Sequence, residues 1–166
     1  MKRILSLVFS LVFLCGCAGT AANVKPVLTG ITFETKLTFY NEVFCCSGQM
    51  SKEGVLTLTV NEPETIKGMK LTVEKESLTA EFLGLTYSPK TEKLPFAGVA
   101  EVLYSAISDA VYRNPQVKTQ DNTFFIESAE NDKYYKIALT ESGFPISAEI
   151  PSAALTAEFS NVSIMK

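Results

Sequence analysis

The sequence predicts an α+β protein in which mostly antiparallel strands surround one main helix. Apolar and polar residues alternate with a period of two over most of residues 31–87 and 117–160, as in half-buried strands. Residues 95–112 repeat their apolar positions every three to four residues instead, which predicts a helix. We expect about eight to ten strands, with the helix buried against the concave side of their sheet.

Residues 1–16 have the three parts of a secretory signal. A basic start precedes an apolar run over 4–14, which is shorter than the roughly 20 residues that a membrane-spanning helix needs. Leu14 and Gly16 end the segment and Cys17 follows it, spaced like the aliphatic, small and cysteine positions of the bacterial lipobox. We therefore expect cleavage before Cys17 and acylation of its thiol.

Acylation of Cys17 would anchor the protein on the extracytoplasmic face of a bacterial cell membrane, because two or three acyl chains bind stably. Residues 17–30 are expected to form the lipidated tether, since they begin with small and polar residues and contain Pro26. One domain follows at 31–166. Two alternatives remain open: an ordinary signal peptide cleaved after Ala21 or Ala22, and a strand at Val24–Leu28 that docks on the domain.

Composition argues against several classes of function. The chain of 166 residues has 15 basic and 18 acidic residues; without residues 1–16 the counts are 13 and 18, a net charge of −5. A mildly acidic domain has no electrostatic reason to bind nucleic acid. The chain has no His, the commonest general base and neutral metal ligand. We expect no enzymatic activity, no cofactor and no metal site.

The strands before the helix are predicted to form a meander with turns near Asn41–Glu42 and 52–54. Pro63 interrupts the pattern, because proline cannot join a central ladder. Leu83, Leu85 and Tyr87 continue the last strand in the opposite phase, and a bulge near Leu83–Gly84 would let both sets face inward. The residues predicted to face inward before this bulge are Ile31, Phe33, Leu37, Phe39, Phe44, Cys46, Met50, Leu56, Leu58, Val60, Met69, Leu71, Val73, Leu78, Ala80 and Phe82.

The helix is predicted to begin at Pro95 and to stop at Asn114–Pro115. Its only charged residues are Glu101 and Asp109, so it is apolar around most of its circumference and needs cover on more than one side. The strands predicted after it are 117–120, 124–127, 135–139, 146–150 and 155–160, with a tight turn at Asp121–Asn122.

Adjacent cysteines, Cys45 and Cys46, lie in the second predicted strand. Neighbours in a strand point to opposite faces, so we expect Cys46 inside and Cys45 outside, both as small apolar residues. A disulfide between them would be strained. Tyr134–Tyr135 is favoured as a half-buried strand pair over a stacking platform.

The order of these elements resembles the LolA/LolB-type superfamily over about residues 31–166. After the lipobox, the resemblance rests on Gly54-Val55-Leu56-Thr57-Leu58, Pro63-Glu64, Gly68-Met69-Lys70-Leu71, Phe82-Leu83-Gly84-Leu85, an apolar helical insert and Ser142-Gly143-Phe144-Pro145. It implies a half-open antiparallel β-barrel whose concave apolar face is covered by a helical lid. Members that carry lipoproteins hold acyl chains between sheet and lid, and latch the lid with a strand arginine; the only arginine after residue 16 is Arg113, beyond the predicted helix.

By this resemblance the protein is an envelope lipoprotein that binds lipid or acyl chains without catalysis. The implied lid residues are Phe96, Val99, Leu103 and Ile107, and the implied floor residues are Phe33, Leu37, Leu71 and Phe82. The alternative is a structural or protein-interaction lipoprotein with a filled barrel, accessory to an envelope complex. That alternative predicts an exposed apolar patch or a free strand edge.

Overall fold

The computed structural model describes residues 24–75, 77–88, 95–130 and 133–166. The predicted signal peptide and lipobox, with Leu14, Gly16 and Cys17, lie outside these residues. The elements are β1 Ile31–Phe39, β2 Glu42–Met50, β3 Val55–Glu62, β4 Lys70–Glu74, β5 Ser77–Phe82, β6 Leu85–Tyr87, α1 Pro95–Arg113, β7 Lys118–Gln120, β8 Thr123–Glu130, β9 Lys133–Leu139, β10 Pro145–Ile150 and β11 Leu155–Ile164. Short 3-10 turns occupy Glu64–Ile66 and Pro151–Ala153.

The eleven described strands form one sheet in the order β6-β5-β4-β3-β2-β1-β11-β10-β9-β8-β7. Every neighbouring pair is antiparallel. The chain runs outward from the central strand β1 to the edge strand β6, and it resumes at the opposite edge, β7, after α1. The predicted antiparallel sheet with one helix is confirmed, but the described chain is mainly β rather than a balanced α+β protein.

The core lies between the concave face of this sheet and α1. Residues directly opposite each other in neighbouring strands share a face, as Gly48, Leu58 and Leu71 do across β2, β3 and β4. The inward-facing positions predicted from the alternation are buried, apart from Phe39 and Phe82, which are half-buried. The period-two pattern therefore assigned the faces of these strands correctly.

The bulge predicted near Leu83–Gly84 is wrong. Leu83 and Gly84 have φ angles of +51° and +78° and form a two-residue turn, after which Leu85 pairs with Phe82. Residues after the turn therefore start a separate edge strand, β6, instead of continuing β5. Leu83 is 85% exposed and Leu85 is 71% exposed, so neither side chain faces inward.

The segment before β1 packs on the domain without forming a strand. The amide of Val27 donates a hydrogen bond to the carbonyl of Gly143 at 2.8 Å, and Leu28 is buried. A Cβ at position 143 would lie 2.0 Å from the carbonyl oxygen of Lys25, and Gly143 has a φ of +84°. A side chain at Gly143 would therefore displace this segment.

Helix α1 spans Pro95–Arg113, as predicted to within one residue. It contacts β3, β4 and β5 on one side and β8 on the other, so it is covered on more than one side as its apolar circumference requires. In the described part of the chain, no helix combines the length and hydropathy of a membrane span.

Candidate functional site

The predicted lid and floor residues come together in one buried cluster. Phe96, Val99, Leu103 and Ile107 of α1 belong to it, with Phe33, Leu37 and Leu71 of the sheet. Phe82 is half-buried and lies at the margin of the cluster. Leu37, Val99 and Leu103 have no exposed surface. Side chains therefore fill the middle of the interface between helix and sheet.

An apolar cleft lies at the first turn of α1, and we call it the N-terminal cleft. Its volume is about 190 Å³, and the ring centroids of Phe44 and Phe96 lie 4.5 Å apart in it. Its walls come from α1, from β2 and β4 and from the link between β3 and β4. The lining residues are Glu42, Phe44, Ile66, Met69, Leu71, Phe96 and Ala97.

The sequence identified only part of this cleft as a site. Phe96 and Leu71 were predicted to be lid and floor residues, and the alternation had placed Phe44 and Met69 on the inner face. Ile66 was missed, because it follows the break at Pro63 in a short 3-10 turn where no period applies.

Hydrogen bonds of two tyrosine hydroxyls connect the later part of α1 to the sheet on both flanks of the helix. The amide of Lys75, after β4, donates a hydrogen bond to Tyr104 Oη at 2.8 Å. On the other flank, Tyr135 Oη of β9 donates to Asp109 Oδ2 at 3.0 Å. Arg113 Nε donates to Asp109 Oδ1 at 2.8 Å, so this arginine pairs within the helix.

Tyr135 is only 2% exposed, whereas its neighbour Tyr134 is 37% exposed. This is the half-buried strand pair that the sequence favoured. Burial raises the pKa of Tyr135, and its hydrogen bond to Asp109 raises it further. The hydroxyl therefore keeps its proton and remains a donor to Asp109.

Both cysteines of β2 are free thiols. Cys46 is buried and Cys45 is partly exposed, which confirms the predicted orientations. Burial raises the pKa of Cys46 to about 12, and burial together with the nearby Glu62 raises that of Cys45. Neither thiol has the lowered pKa of a reactive cysteine. Among the residues that the structure describes, no group of three or more His, Cys, Asp or Glu could hold a metal ion.

A comparison with protein-family models finds no match, and a comparison with curated proteins finds none either. Among solved structures, the fold is similar to a LolA superfamily protein from Nitrosomonas europaea, at 10% identity and a TM-score of 0.47, over 88% of this chain and 90% of that chain. It is also similar to a DUF1329 family protein from Desulfovibrio piger, at 11% identity and a TM-score of 0.42, over 81% of this chain and 85% of that chain. Similarities at this level concern the fold and do not extend to a ligand or an activity.

Proposed function

We propose that this chain is a bacterial envelope lipoprotein that is anchored through Cys17 on the extracytoplasmic face of the membrane. Its domain binds an apolar or lipidic ligand and carries out no catalysis. The observation that carries the proposal is the N-terminal cleft, an apolar opening beside Phe96 at the start of a helix that is otherwise packed against the sheet. Sites for apolar ligands are typically clefts of this composition.

The size of the cleft limits what enters it without rearrangement. Its volume of about 190 Å³ is below the roughly 300–1,000 Å³ of ordinary ligand pockets. Only the end of an acyl chain fits into this space. A longer chain requires Phe96 to leave Phe44 and the first turn of α1 to lift from β4.

The first turn of α1 is suited to this movement. Phe96 and Ala97 contact the sheet through apolar side chains, which slide without breaking directional bonds. The later part of the helix is held by the hydrogen bonds of Tyr104 and Tyr135. Ligand entry is therefore proposed at the start of α1, with the remainder of the helix staying in place.

Native mass spectrometry tests the proposal on the chain from Ala18 onward, secreted in its own host behind a signal peptide that lacks a lipobox and purified without detergent. We expect co-purifying lipid or acyl chains in the unaltered protein and loss of that mass after Phe96→Trp, which fills the cleft. Phe125→Trp is the matched control, since Phe125 is equally buried but lies on β8, outside the cleft. A protein that stays bare after incubation with host lipid extract would refute ligand binding.

A second candidate is a structural or protein-interaction lipoprotein with a filled half-barrel, accessory to an envelope complex. Two observations favour it: the absence of exposed surface on Leu37, Val99 and Leu103, and the exposed apolar tip of the β5–β6 hairpin at Leu83 and Leu85. It predicts that the protein carries no ligand in the same experiment, and that a protein partner cross-links to the tip of the β5–β6 hairpin.

A further inference from the structure

A second cavity lies on the opposite flank of α1 from the N-terminal cleft, and we call it the socket. Its volume is about 150 Å³. One wall is a stripe along the helix at the spacing of one helical face, and the other is formed by β9, the end of β10 and the 3-10 turn after it. The residues that define it here are Ser105, Ala106, Asp109, Tyr135, Ile150 and Ala153.

The socket exists because two facing positions carry short side chains. Ala106 on the helix is 3% exposed, and Ala153 opposite is half-buried. Protein interiors are usually packed to the density of organic crystals, so a larger apolar residue at position 106 would be expected to occupy this space. The lining is mostly apolar, with Ile150 and both alanines among its walls.

A hydrogen-bond acceptor faces the socket at Asp109. One carboxylate oxygen, Oδ1, accepts from Arg113 Nε at 2.8 Å, and the other, Oδ2, accepts from Tyr135 Oη at 3.0 Å. A carboxylate oxygen accepts more than one hydrogen bond, so Oδ2 has capacity for a second donor. The site thus combines an apolar wall with a carboxylate acceptor whose other oxygen is ion-paired with Arg113.

We propose that the socket binds a short aliphatic group that ends in a hydrogen-bond donor, an alkylamine or alkanol of about four carbon atoms. The volume of 150 Å³ lies well below the roughly 300–1,000 Å³ of ordinary ligand pockets, which restricts the ligand to a short chain. The head donates to Asp109 Oδ2, and the chain lies against Ala106 and Ile150. A carboxylate head is disfavoured, because it cannot donate a hydrogen bond to Asp109 Oδ2. This site does not depend on the ligand proposed for the N-terminal cleft.

The test uses the acylated protein from Cys17 onward in phospholipid nanodiscs, with Ala, Val and Ile methyl groups labelled for NMR. Butylamine, 1-butanol and butyrate are titrated separately, and empty nanodiscs measure partition into lipid. We expect saturable shifts of the methyl signals of Ala106, of Ile150 and of Val102, which also lines the socket, with millimolar affinity for butylamine and butanol. Butyrate is expected to bind at least about tenfold more weakly than butylamine.

Variants separate the site from general effects. Ala106→Leu fills the socket and should abolish the shifts. Asp109→Asn should bring the affinity for butyrate to within about twofold of the affinity for butylamine. Val111→Leu is the matched control, since it enlarges a side chain of the same helix that is 45% exposed and outside the socket. If Ala106→Leu does not fold, Ala153→Leu fills the socket from the other wall.

Three results would overturn the proposal. The first is a native protein that shows no saturable shift with butylamine or butanol. The second is binding that persists in a folded Ala106→Leu or Ala153→Leu variant. The third is equal affinity of the native socket for butyrate and butylamine.

Discussion

Replacing Leu103 with Ala measures how tightly α1 is packed against the sheet. Leu103 has no exposed surface, and its helix neighbours Val99 and Ala100 have none either. Leu→Ala changes at buried sites cost about 2–5 kcal/mol, with the larger values where the surroundings cannot collapse into the cavity. Because the turn of α1 before Leu103 and the turn after it, with Ala106 and Ile107, both carry buried residues, we expect a loss of about 3–4 kcal/mol in the free energy of unfolding.

Urea unfolding followed by far-UV circular dichroism gives the free energy directly, and thermal unfolding gives an independent value. At roughly 2–4 °C per kcal/mol for a chain of this size, the melting temperature should fall by about 10 °C. Val111→Ala, on an exposed part of the same helix, is the control and should cost about 1 kcal/mol or less.

A loss below about 1 kcal/mol at Leu103 would refute this account of the core. It would mean that α1 rests on the sheet as a loose lid with free space beneath it. Leu103→Asp gives a second, sharper result: a buried carboxylate without a partner is costly, so a packed helix predicts an unfolded domain, whereas a loose lid predicts a folded one with weakened ligand binding.

Four further predictions concern the anchor, the hairpin tip, the core and the response to pH. Cys17→Ser should release the protein from membranes or leave it uncleaved; unchanged lipid labelling and membrane retention would contradict the anchor. Leu83→Asn should raise the free energy of unfolding by about 0.5–1 kcal/mol, because Leu is disfavoured at a φ of +51° and buries little there; a loss measured in urea would contradict it. Gly48→Ala should cost about 1–3 kcal/mol, since its Cβ would lie 2.2 Å from the ring of Phe33; a neutral result would show that the ring moves freely. Stability should fall as pH rises from about 9 towards 12, because the unfolded Cys46 thiol ionises while the folded one keeps its proton. Cys46→Ala should reduce this fall, and an unchanged pH profile would exclude Cys46 as its cause.

Alternation of apolar and polar residues predicted most of the sheet, because each strand has one face on the core. It failed at Leu83–Gly84, where the apolar residues change phase. A bulge and a tight turn produce the same change of phase, and only the chain direction after Gly84 distinguishes them. Leu83 also made the turn harder to recognise from the sequence, because Asn or Gly is the usual residue at a positive φ in such a turn.

The candidate sites were less predictable, because they depend on where the helix lies across the sheet. Tyr135 and Asp109 are 26 residues apart, and nothing in the local pattern of either residue indicates their hydrogen bond. The sequence offered no strand arginine to latch the helix, since Arg113 is the only arginine after residue 16 and was predicted to lie just beyond the helix. The structure shows that it pairs with Asp109 on its own helix, while tyrosines make the links to the sheet.

The topology of the chain explains why helix and ligand would share one space. Strands β1 to β6 extend the sheet in one direction and β7 to β11 extend it in the other, so the chain between Tyr87 and Lys118 must connect opposite edges. Helix α1 lies in that connection and contacts strands from both halves of the sheet. The concave face is therefore occupied by the chain itself, and under the proposed function a ligand longer than the end of an acyl chain would gain room only by displacing part of the helix. Under the same proposal, that displacement would begin at Phe96, whose ring packs against Phe44 at the start of α1.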